Sequence, residues 1–262
     1  MNIENNLIVV CKQSMDDFEI ISNGHYSMGY YLETAPGKDI GEDGILIHFN
    51  KNNLFLAVCD GVGGSDRSYR ATKNTLNILA EMSLQQSEEE ITHEIMVINQ
   101  KLMSLEGRPQ TTLTAASINY HDYTAFQIGD SGLIHCSNHG NLKYKSPMHS
   151  PIGKAVENHQ LTEKAALQHP DLNIVDNVLG CDDCYVDLSS KQEIKLHDTL
   201  FLASDGLLDN FTTDEIISII SKGDLKEVCV SLTTIAKSKT NLLTKEDLYK
   251  LDDISFICLK HS

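Results

Sequence analysis

The chain has 262 residues, of which 41% are hydrophobic and 22% charged, a composition typical of a globular protein with a sizeable core. Its 37 acidic and 21 basic residues give a formal net charge of −16, which argues against binding to nucleic acid or to an anionic membrane. No run approaches the roughly 18 apolar residues of a membrane-spanning helix, and residues 1–6 lack the features of a signal peptide. We therefore expect a cytoplasmic protein.

The first half of the chain predicts strands followed by two helices. Short apolar, β-rich runs that end at turn residues predict strands over 7–11, 26–32, 44–49 and 54–59. The glycine-rich turn at 61–64 leads into a predicted helix over about 66–85. Ser87 and Glu90 have the spacing of a capping box, which predicts that a second helix begins there and runs to about residue 105.

The second half predicts a meander of strands, then two more helices and a last strand. The predicted strands cover 111–119, 124–128, 132–137, 142–145, 174–179, 184–188, 199–203 and 254–259. Residues 147–172 have weak periodicity and predict a loop or flap, whereas 212–222 and 225–237 predict helices. The order lacks regular β–α alternation. It favours a single domain over 1–262, an α+β fold with two antiparallel sheets, each covered by a helix pair.

Acidic residues stand at the ends of several of these predicted strands. They are Glu42, Asp43, Asp60, Asp205 and Asp252. Carboxylates that converge repel one another, by about 4 kcal/mol per pair at about 4 Å and an effective dielectric of about 20. A hard cation such as Mg²⁺ or Mn²⁺, which prefers oxygen ligands, would offset that repulsion. The pattern therefore predicts a metal-dependent hydrolase of phosphate esters.

Together with two further motifs, these segments resemble the metal-dependent protein phosphatases, the type 2C serine/threonine phosphatases. The matching pieces are Gly-Glu-Asp at 41–43, Asp-Gly-Val-Gly-Gly at 60–64, Thr-Thr at 111–112, Gly-Asp-Ser at 129–131, Leu-Ala-Ser-Asp-Gly-Leu at 202–207 and Asp-Asp-Ile-Ser at 252–255. The resemblance extends from about residue 26 to 260. It implies an α-β-β-α sandwich that hydrolyses phosphoserine and phosphothreonine in proteins, using water activated at a binuclear Mg²⁺ or Mn²⁺ centre.

The resemblance also implies roles for individual residues. Asp60 would bridge the two ions, Gly61 would offer its backbone carbonyl to one of them, and Asp205 and Asp252 would complete the other. The acids expected to hold metal-bound waters are Glu42 and Asp43. Asp130 resembles the acid that, with Asp205, serves a weaker third metal position in bacterial members of the family.

Several positions depart from the family pattern. Lys38 stands where an arginine usually grips the substrate phosphate, and we expect it to bind phosphate with a looser orientation because lysine is a point charge. Val62 replaces a proposed proton-donating histidine of animal members. The changes at Gln127, Gly132 and Asp253 bear on local packing and on the third metal. His149 is what remains of an Asp-His pair and is a candidate for contact with the site.

Two alternatives stay open. One is a regulatory binding module that has kept the fold and lost turnover, which the change at Lys38 favours, and the other is a phosphoesterase for small molecules. The implied partners are a phosphorylated protein and an opposing serine/threonine kinase, and we expect a monomer. Cys181 and Cys184 form an isolated C-x-x-C without a second pair or a nearby histidine, so a zinc or redox site is disfavoured.

Overall fold

The computed structural model describes residues 6–64, 66–241 and 251–261; residues 1–5, on which the signal-peptide expectation partly rests, lie outside these ranges. The strands are β1 (Asn6–Cys11), β2 (Glu19–Ser22), β3 (Tyr26–Glu33), β4 (Gly44–Phe49), β5 (Asn53–Cys59), β6 (Gly61–Val62), β7 (Gln110–Thr111), β8 (Leu113–Asn119), β9 (Asp122–Ile128), β10 (Gly132–Cys136), β11 (Leu142–Lys145), β12 (Asp187–Leu188), β13 (Gln192–Glu193), β14 (Thr199–Ala203) and β15 (Ile254–His261). The helices are α1 (Asp66–Ala80), α2 (Glu88–Ser104), α3 (Pro151–Glu157), α4 (Glu163–Ala166), α5 (Asp205–Leu208), α6 (Thr213–Ile220) and α7 (Leu225–Asn241).

The described strands form two large antiparallel sheets. One has seven strands in the order β1-β4-β5-β8-β9-β12, with β13 also paired to β9. The other has six strands in the order β11-β10-β14-β15-β3-β2. A small two-stranded ladder joins β6 and β7. The predicted absence of a parallel, doubly wound sheet is therefore confirmed.

The two sheets pack face to face, and a helix pair covers the outer side of each. Strand β5 shows the alternation that this requires, because successive side chains of a strand point to opposite faces. Leu56 and Val58 belong to the core between the sheets, whereas Ala57 and Cys59 pack beneath α1 and α2. On the other side, α6 and α7 cover the six-stranded sheet, where their apolar residues pack around Phe256. The predicted α-β-β-α sandwich is confirmed.

The flap prediction for 147–172 missed two short helices. Ser150 caps α3 and Pro151 occupies its first turn, while Thr162 caps α4. Proline is favoured at a first helical position because its missing N–H needs no partner there. We did not use that signal, since the segment lacked apolar periodicity.

Other predicted elements differ from the structure at their ends or in type. The helix predicted over 66–85 ends at Ala80, and α7 extends to Asn241 rather than residue 237. The strand predicted over 174–179 is wrong: only Leu179 makes a bridge, to Thr111. Backbone hydrogen bonding explains why no strand forms here, because the N–H of Asp176 donates to the carbonyl of His149, which lies in a connecting segment and not at a sheet edge. Among the described helices, none is long and apolar enough to span a membrane.

Candidate metal centre

Strand register brings the first group of acids to one edge of the seven-stranded sheet. Gly44, at the start of β4, lies opposite Cys59, at the end of β5. Glu42 and Asp43 immediately precede β4, and Asp60 immediately follows β5. These three acids therefore lie at the same edge although they come from different segments.

The six-stranded sheet contributes the second group in the same way. Ala203, near the end of β14, lies opposite Phe256 near the start of β15. Asp205 begins α5 one residue after the end of β14, and Asp252 precedes β15. Gly206 is required here, because a Cβ at that position would lie 1.9 Å from the carbonyl oxygen of Asp253.

Hydrogen bonds join the two acidic edges across the sandwich. The backbone N–H of Glu42 donates to Oδ2 of Asp253 at 2.5 Å, and the hydroxyl of Ser255 donates to Oδ2 of Asp43 at 2.7 Å. The other Asp253 oxygen accepts from the N–H of Ala35 at 2.7 Å. The buried carboxylate of Asp253 therefore links the segments of Ala35 and Glu42 to the start of β15, a role that we did not predict. The sequence feature that could have indicated this role is the position of Asp253 next to Asp252, immediately before an apolar strand.

Two threonines fix the backbone of Asp60. Thr112 donates its N–H to the Asp60 carbonyl at 2.8 Å and accepts the Asp60 N–H on its hydroxyl at 3.0 Å. The Thr111 hydroxyl donates to the same carbonyl at 2.9 Å. Thr112 also shares a 2.8 Å hydrogen bond with the hydroxyl of Ser131. The Thr-Thr and Gly-Asp-Ser motifs thus support the turn that carries Asp60.

Helix α1 closes against the glycine-rich turn. A Cβ on Gly61 would lie 2.7 Å from the backbone of Ser68, so this close approach requires glycine. The Ser68 hydroxyl donates to the carbonyl of Val62 at 3.1 Å. One turn later, the Thr72 hydroxyl donates to the carbonyl of Glu42 at 2.7 Å. The inner face of α1 is therefore bonded to two of the acidic segments.

The acids perturb one another strongly. Burial, followed by repulsion from Asp205, Asp43, Asp252 and Asp130, raises the pKa of Asp60 well above its usual range. Burial, followed by repulsion from Asp253, raises the pKa of Asp43 to about 8, although the hydroxyls of Ser204 and Ser255 act in the opposite direction. Negative charge is thus concentrated at this end of the molecule, and a positive charge would be favoured there.

The chemistry of these donors fits a hard divalent cation. Carboxylate and carbonyl oxygens are the preferred ligands of Mg²⁺ and Mn²⁺. Oδ1 of Asp43 is buried without a hydrogen-bond partner, and the electrostatic repulsion described above would be offset by added positive charge. Among the residues that the structure describes, no three acidic, histidine or cysteine side chains are already gathered closely enough to hold an ion.

Lys38 supplies positive charge within this cluster. Its ammonium lies 2.7 Å from Oε2 of Glu42, 3.1 Å from Oδ1 of Asp252 and 3.5 Å from Oδ2 of Asp253. Burial alone would lower the pKa of the ammonium, but hydrogen bonding to Glu42 and the charges of the three acids outweigh burial and raise the pKa. The structure therefore places Lys38 against the acids, while the predicted contact with phosphate stays a prediction.

The remaining candidate residues, His149 and the pair Cys181 and Cys184, make contacts that support the fold. The Nδ1 of His149 accepts the N–H of Gly129 at 3.2 Å, and its Nε2 lies 2.9 Å from Asp187, so it supports the turn before Asp130. Cys181 and Cys184 lie in the apolar layer beneath α1 and α2. Among the described residues, no histidine, acid or further cysteine joins this pair to form a group of three possible metal ligands.

The sandwich and the acid-lined end together define the architecture of the metal-dependent protein phosphatases. No protein-family model matches the chain. It is 26% identical over 228 residues to the serine/threonine phosphatase stp of Listeria monocytogenes, covering 81% of this chain and 86% of that protein. It is 27% identical over 210 residues to a putative protein phosphatase 2C-type of Streptococcus pyogenes, covering 74% and 84% respectively.

Solved structures agree on the fold. The S. agalactiae serine/threonine phosphatase matches with a TM-score of 0.76 at 22% identity, covering 90% of this chain and 100% of that one. Stp1 from Staphylococcus aureus matches with a TM-score of 0.76 at 24% identity, covering 90% and 94%. The PstP catalytic domain in complex with two manganese ions and RsbX in complex with magnesium have the same fold, with TM-scores of 0.71 and 0.69 at 18% and 17% identity. The chain is therefore similar in sequence to named bacterial serine/threonine phosphatases and shares the fold of solved ones, as its motifs predicted.

Proposed function

We propose that this protein is an enzyme that removes phosphate from phosphoserine and phosphothreonine in proteins, with two Mg²⁺ or Mn²⁺ ions as cofactors. The observation that carries the proposal is the convergence of acids from separate segments at adjoining edges of the two sheets, which strand register and the hydrogen bonds of Glu42 to Asp253 and of Ser255 to Asp43 bring together. Homology to named serine/threonine phosphatases supports the reaction class. The manganese and magnesium in the PstP and RsbX structures support the choice of ion.

In this proposal, the acids at the two sheet edges hold the ions. Asp60 and the carbonyl of Gly61 would serve one ion, and Asp60, Asp205 and Asp252 the other. Glu42 and Asp43 would act through solvent, and Asp130 would serve a weaker third position. When bound, such ions lower the pKa of water and stabilise negative charge on phosphoryl oxygens.

The chain's own residues position this machinery and limit its proton chemistry. Thr111 and Thr112 hold the Asp60 backbone in place, and Ser255 orients the Asp43 carboxylate. Val62 has no titratable side chain, so in this proposal the proton for the leaving group would come from solvent. Lys38 sits at the edge of the acids with its side chain 32% exposed, a position from which it could contact a phosphate.

A Mn²⁺-dependent assay with p-nitrophenyl phosphate, followed by phosphopeptides, tests the proposal. We expect turnover of both substrates and its loss in Asp60→Asn. Asp122→Asn, which removes a carboxylate at the start of β9, is the matched control. No hydrolysis of either substrate would overturn the proposal in favour of a regulatory module. Activity on small esters alone would favour a small-molecule phosphoesterase. The opposing kinase, the monomeric state and the cytoplasmic location stay predictions.

A further inference from the structure

The outer face of α1 carries a row of positive charge beside the candidate metal centre. Arg67, Arg70 and Lys73 are spaced three residues apart and are exposed, whereas the helix contains one acid, Asp66. Residues three apart on a helix are neighbours on its surface. Lys12 also lies close by, since both it and Lys73 act electrostatically on Cys11. We call Arg70, Lys73 and Lys12 the cationic face.

This concentration of bases stands out in a chain of net charge −16. Many other basic side chains of the described ranges form ion pairs with acids: Lys38, Arg108, Lys143, Lys145, Lys154, Lys191 and Lys195. In the same ranges, no ion pair involves Arg70, Lys73 or Lys12. Lys73 instead lies over the ring of Tyr69, with its ammonium 5.8 Å from the ring centroid. The charge of this face is thus not neutralised by neighbouring acids.

The cationic face has a fixed relation to the site. The opposite face of α1 bonds to the carbonyls of Val62 and Glu42 through Ser68 and Thr72. The helix begins directly after the turn that follows Asp60. A peptide whose phosphorylated residue reached the acids could therefore continue along the first turns of α1.

We propose that the cationic face binds acidic residues that flank the phosphorylated residue of the substrate, so that the enzyme prefers acidic phosphoprotein segments. This inference rests on the proposed phosphatase function and names its substrate class. Charge complementarity carries it: the chain has a net charge of −16 and would on the whole repel such a segment, whereas Arg70, Lys73 and Lys12 are exposed and form no ion pair with an acid among the described residues. Arg70 in addition offers a planar fork that matches a carboxylate.

A second group of bases provides the matched control. Lys222, Lys226 and Lys260 line a groove with His261, which ends β15, whereas the candidate site lies at the start of that strand. There, Lys260 donates to the carbonyl of Gly223, and Asp224 lies among the lysines. Substitution of Lys222 and Lys226 therefore removes equal charge far from the site.

The test compares the double variant Arg70→Gln with Lys73→Gln against the double variant Lys222→Gln with Lys226→Gln. Glutamine keeps a good helix propensity at exposed positions. The substrates are a phosphothreonine peptide with three flanking glutamates, the same peptide with glutamines, and p-nitrophenyl phosphate, which is too small to reach α1. Glutamates are placed before the phosphothreonine in one peptide and after it in another.

We expect the wild type to prefer an acidic peptide over the neutral one, through a lower KM. The α1 variant should lose about two- to fivefold of that preference for each cation removed, because exposed ion pairs are individually weak. The preference should also fall as salt is added, and the control variant should retain it. No preference in the wild type, or an equal loss in the control variant, would overturn the inference.

A binding measurement separates this inference from the proposed function. Fluorescence anisotropy of the labelled acidic and neutral phosphopeptides is measured on wild-type protein and on the α1 variant, in Mn²⁺. If the wild type binds the acidic peptide more tightly than the neutral one and the α1 variant does not, the proposed role of the cationic face is supported even without hydrolysis. Hydrolysis of all substrates with equal peptide affinities would leave the phosphatase proposal intact and refute the cationic face.

Discussion

The ammonium of Lys38 donates to Glu42, four residues further along the chain, at 2.7 Å, and so places a fixed positive charge against the acids of the candidate centre. The same group reaches Asp252 from the other sheet at 3.1 Å. Lys38 thus links the two acidic edges and offsets part of their repulsion. A divalent cation that binds Asp252 would compete with it, and a displaced Lys38 would become free to contact phosphate.

Replacing Lys38 with methionine should destabilise the metal-free protein and increase its response to metal. We expect unfolding by urea in EDTA to be easier by about 1–2 kcal/mol, because a partly buried ion pair is broken and the repulsion among the acids is no longer offset. Addition of Mn²⁺ should stabilise the variant more than it stabilises the wild type. Lys38→Arg, which keeps the charge, is the control and should behave like the wild type.

The same substitution tests the predicted phosphate contact. If Lys38 binds the substrate phosphate, KM for p-nitrophenyl phosphate should rise in Lys38→Met at saturating Mn²⁺. An unchanged KM with the altered metal response would mean that Lys38 acts on the acids alone.

A methyl group at Gly206 should disrupt the junction between Asp205 and Asp253. The added Cβ would lie 1.9 Å from the Asp253 carbonyl oxygen, and this oxygen belongs to the backbone and has little freedom to move. We expect Gly206→Ala to cost about 3 kcal/mol or more of unfolding free energy, measured in urea, with loss of phosphatase activity. Gly37→Ala is the comparison, since that position has open space and only an unfavourable φ of +85°, with an expected cost of about 1 kcal/mol.

The central strands and the acidic motifs could be predicted from the sequence because both are local signals. Strands β5 and β14 are apolar runs buried on both faces, and Asp60 follows β5 directly while Asp205 comes one residue after β14. Short helices were missed because their stability comes from tertiary contacts. Helix α4, for example, is held in place by Glu163, which accepts hydrogen bonds from Lys145 and from the N–H of Thr213, each at 2.8 Å.

Contacts across the sandwich could not be predicted from spacing. Nothing in the local sequence indicates that Lys38 reaches Asp252, or that Asp253 receives the N–H groups of Ala35 and Glu42. These pairs depend on how the two sheets are stacked. The candidate acids could thus be named from motifs, whereas the groups that orient and neutralise them required the fold.

Removal of the Thr112 hydroxyl should weaken the support of Asp60. Thr112→Val keeps the shape of the side chain but leaves the N–H of Asp60 without its acceptor and Ser131 without its partner. We expect a loss of about 1–3 kcal/mol in unfolding free energy, together with weaker Mn²⁺ binding by calorimetry. Thr114→Val removes another buried hydroxyl, bonded to Gln127, and should lower stability without changing metal affinity. Equal metal affinities in both variants would contradict this role.

His135 should by itself lower stability in mild acid, because its burial disfavours protonation of the ring in the folded protein. The ring lies in β10 with an exposed fraction of 1%, and its nitrogens contact Tyr123 at 3.2 Å and Asp198 at 3.1 Å. Burial lowers the pKa of His135, although Asp198 opposes the effect. The unfolded chain therefore binds a proton near the usual histidine pKa of about 6.5 while the folded chain does not. The stabilisation is present above that pH and is lost as the pH falls below it, by at most about 1.4 kcal/mol per pH unit.

Urea unfolding at several pH values between 7.5 and 5.5 measures this effect. The raised pKa values of Asp43 and Asp60 act in the opposite direction in both proteins, so the comparison is between slopes. As the pH falls below about 6.5, we expect the unfolding free energy of His135→Gln to change more favourably than that of the wild type, whatever the substitution costs at neutral pH. His48 also has a pKa lowered by burial, so part of the slope should remain. His139→Gln, at an exposed position in the turn after β10, is the matched control and should keep the full slope. Identical slopes in the wild type and His135→Gln would mean that His135 takes up a proton in the folded state as readily as in the unfolded chain.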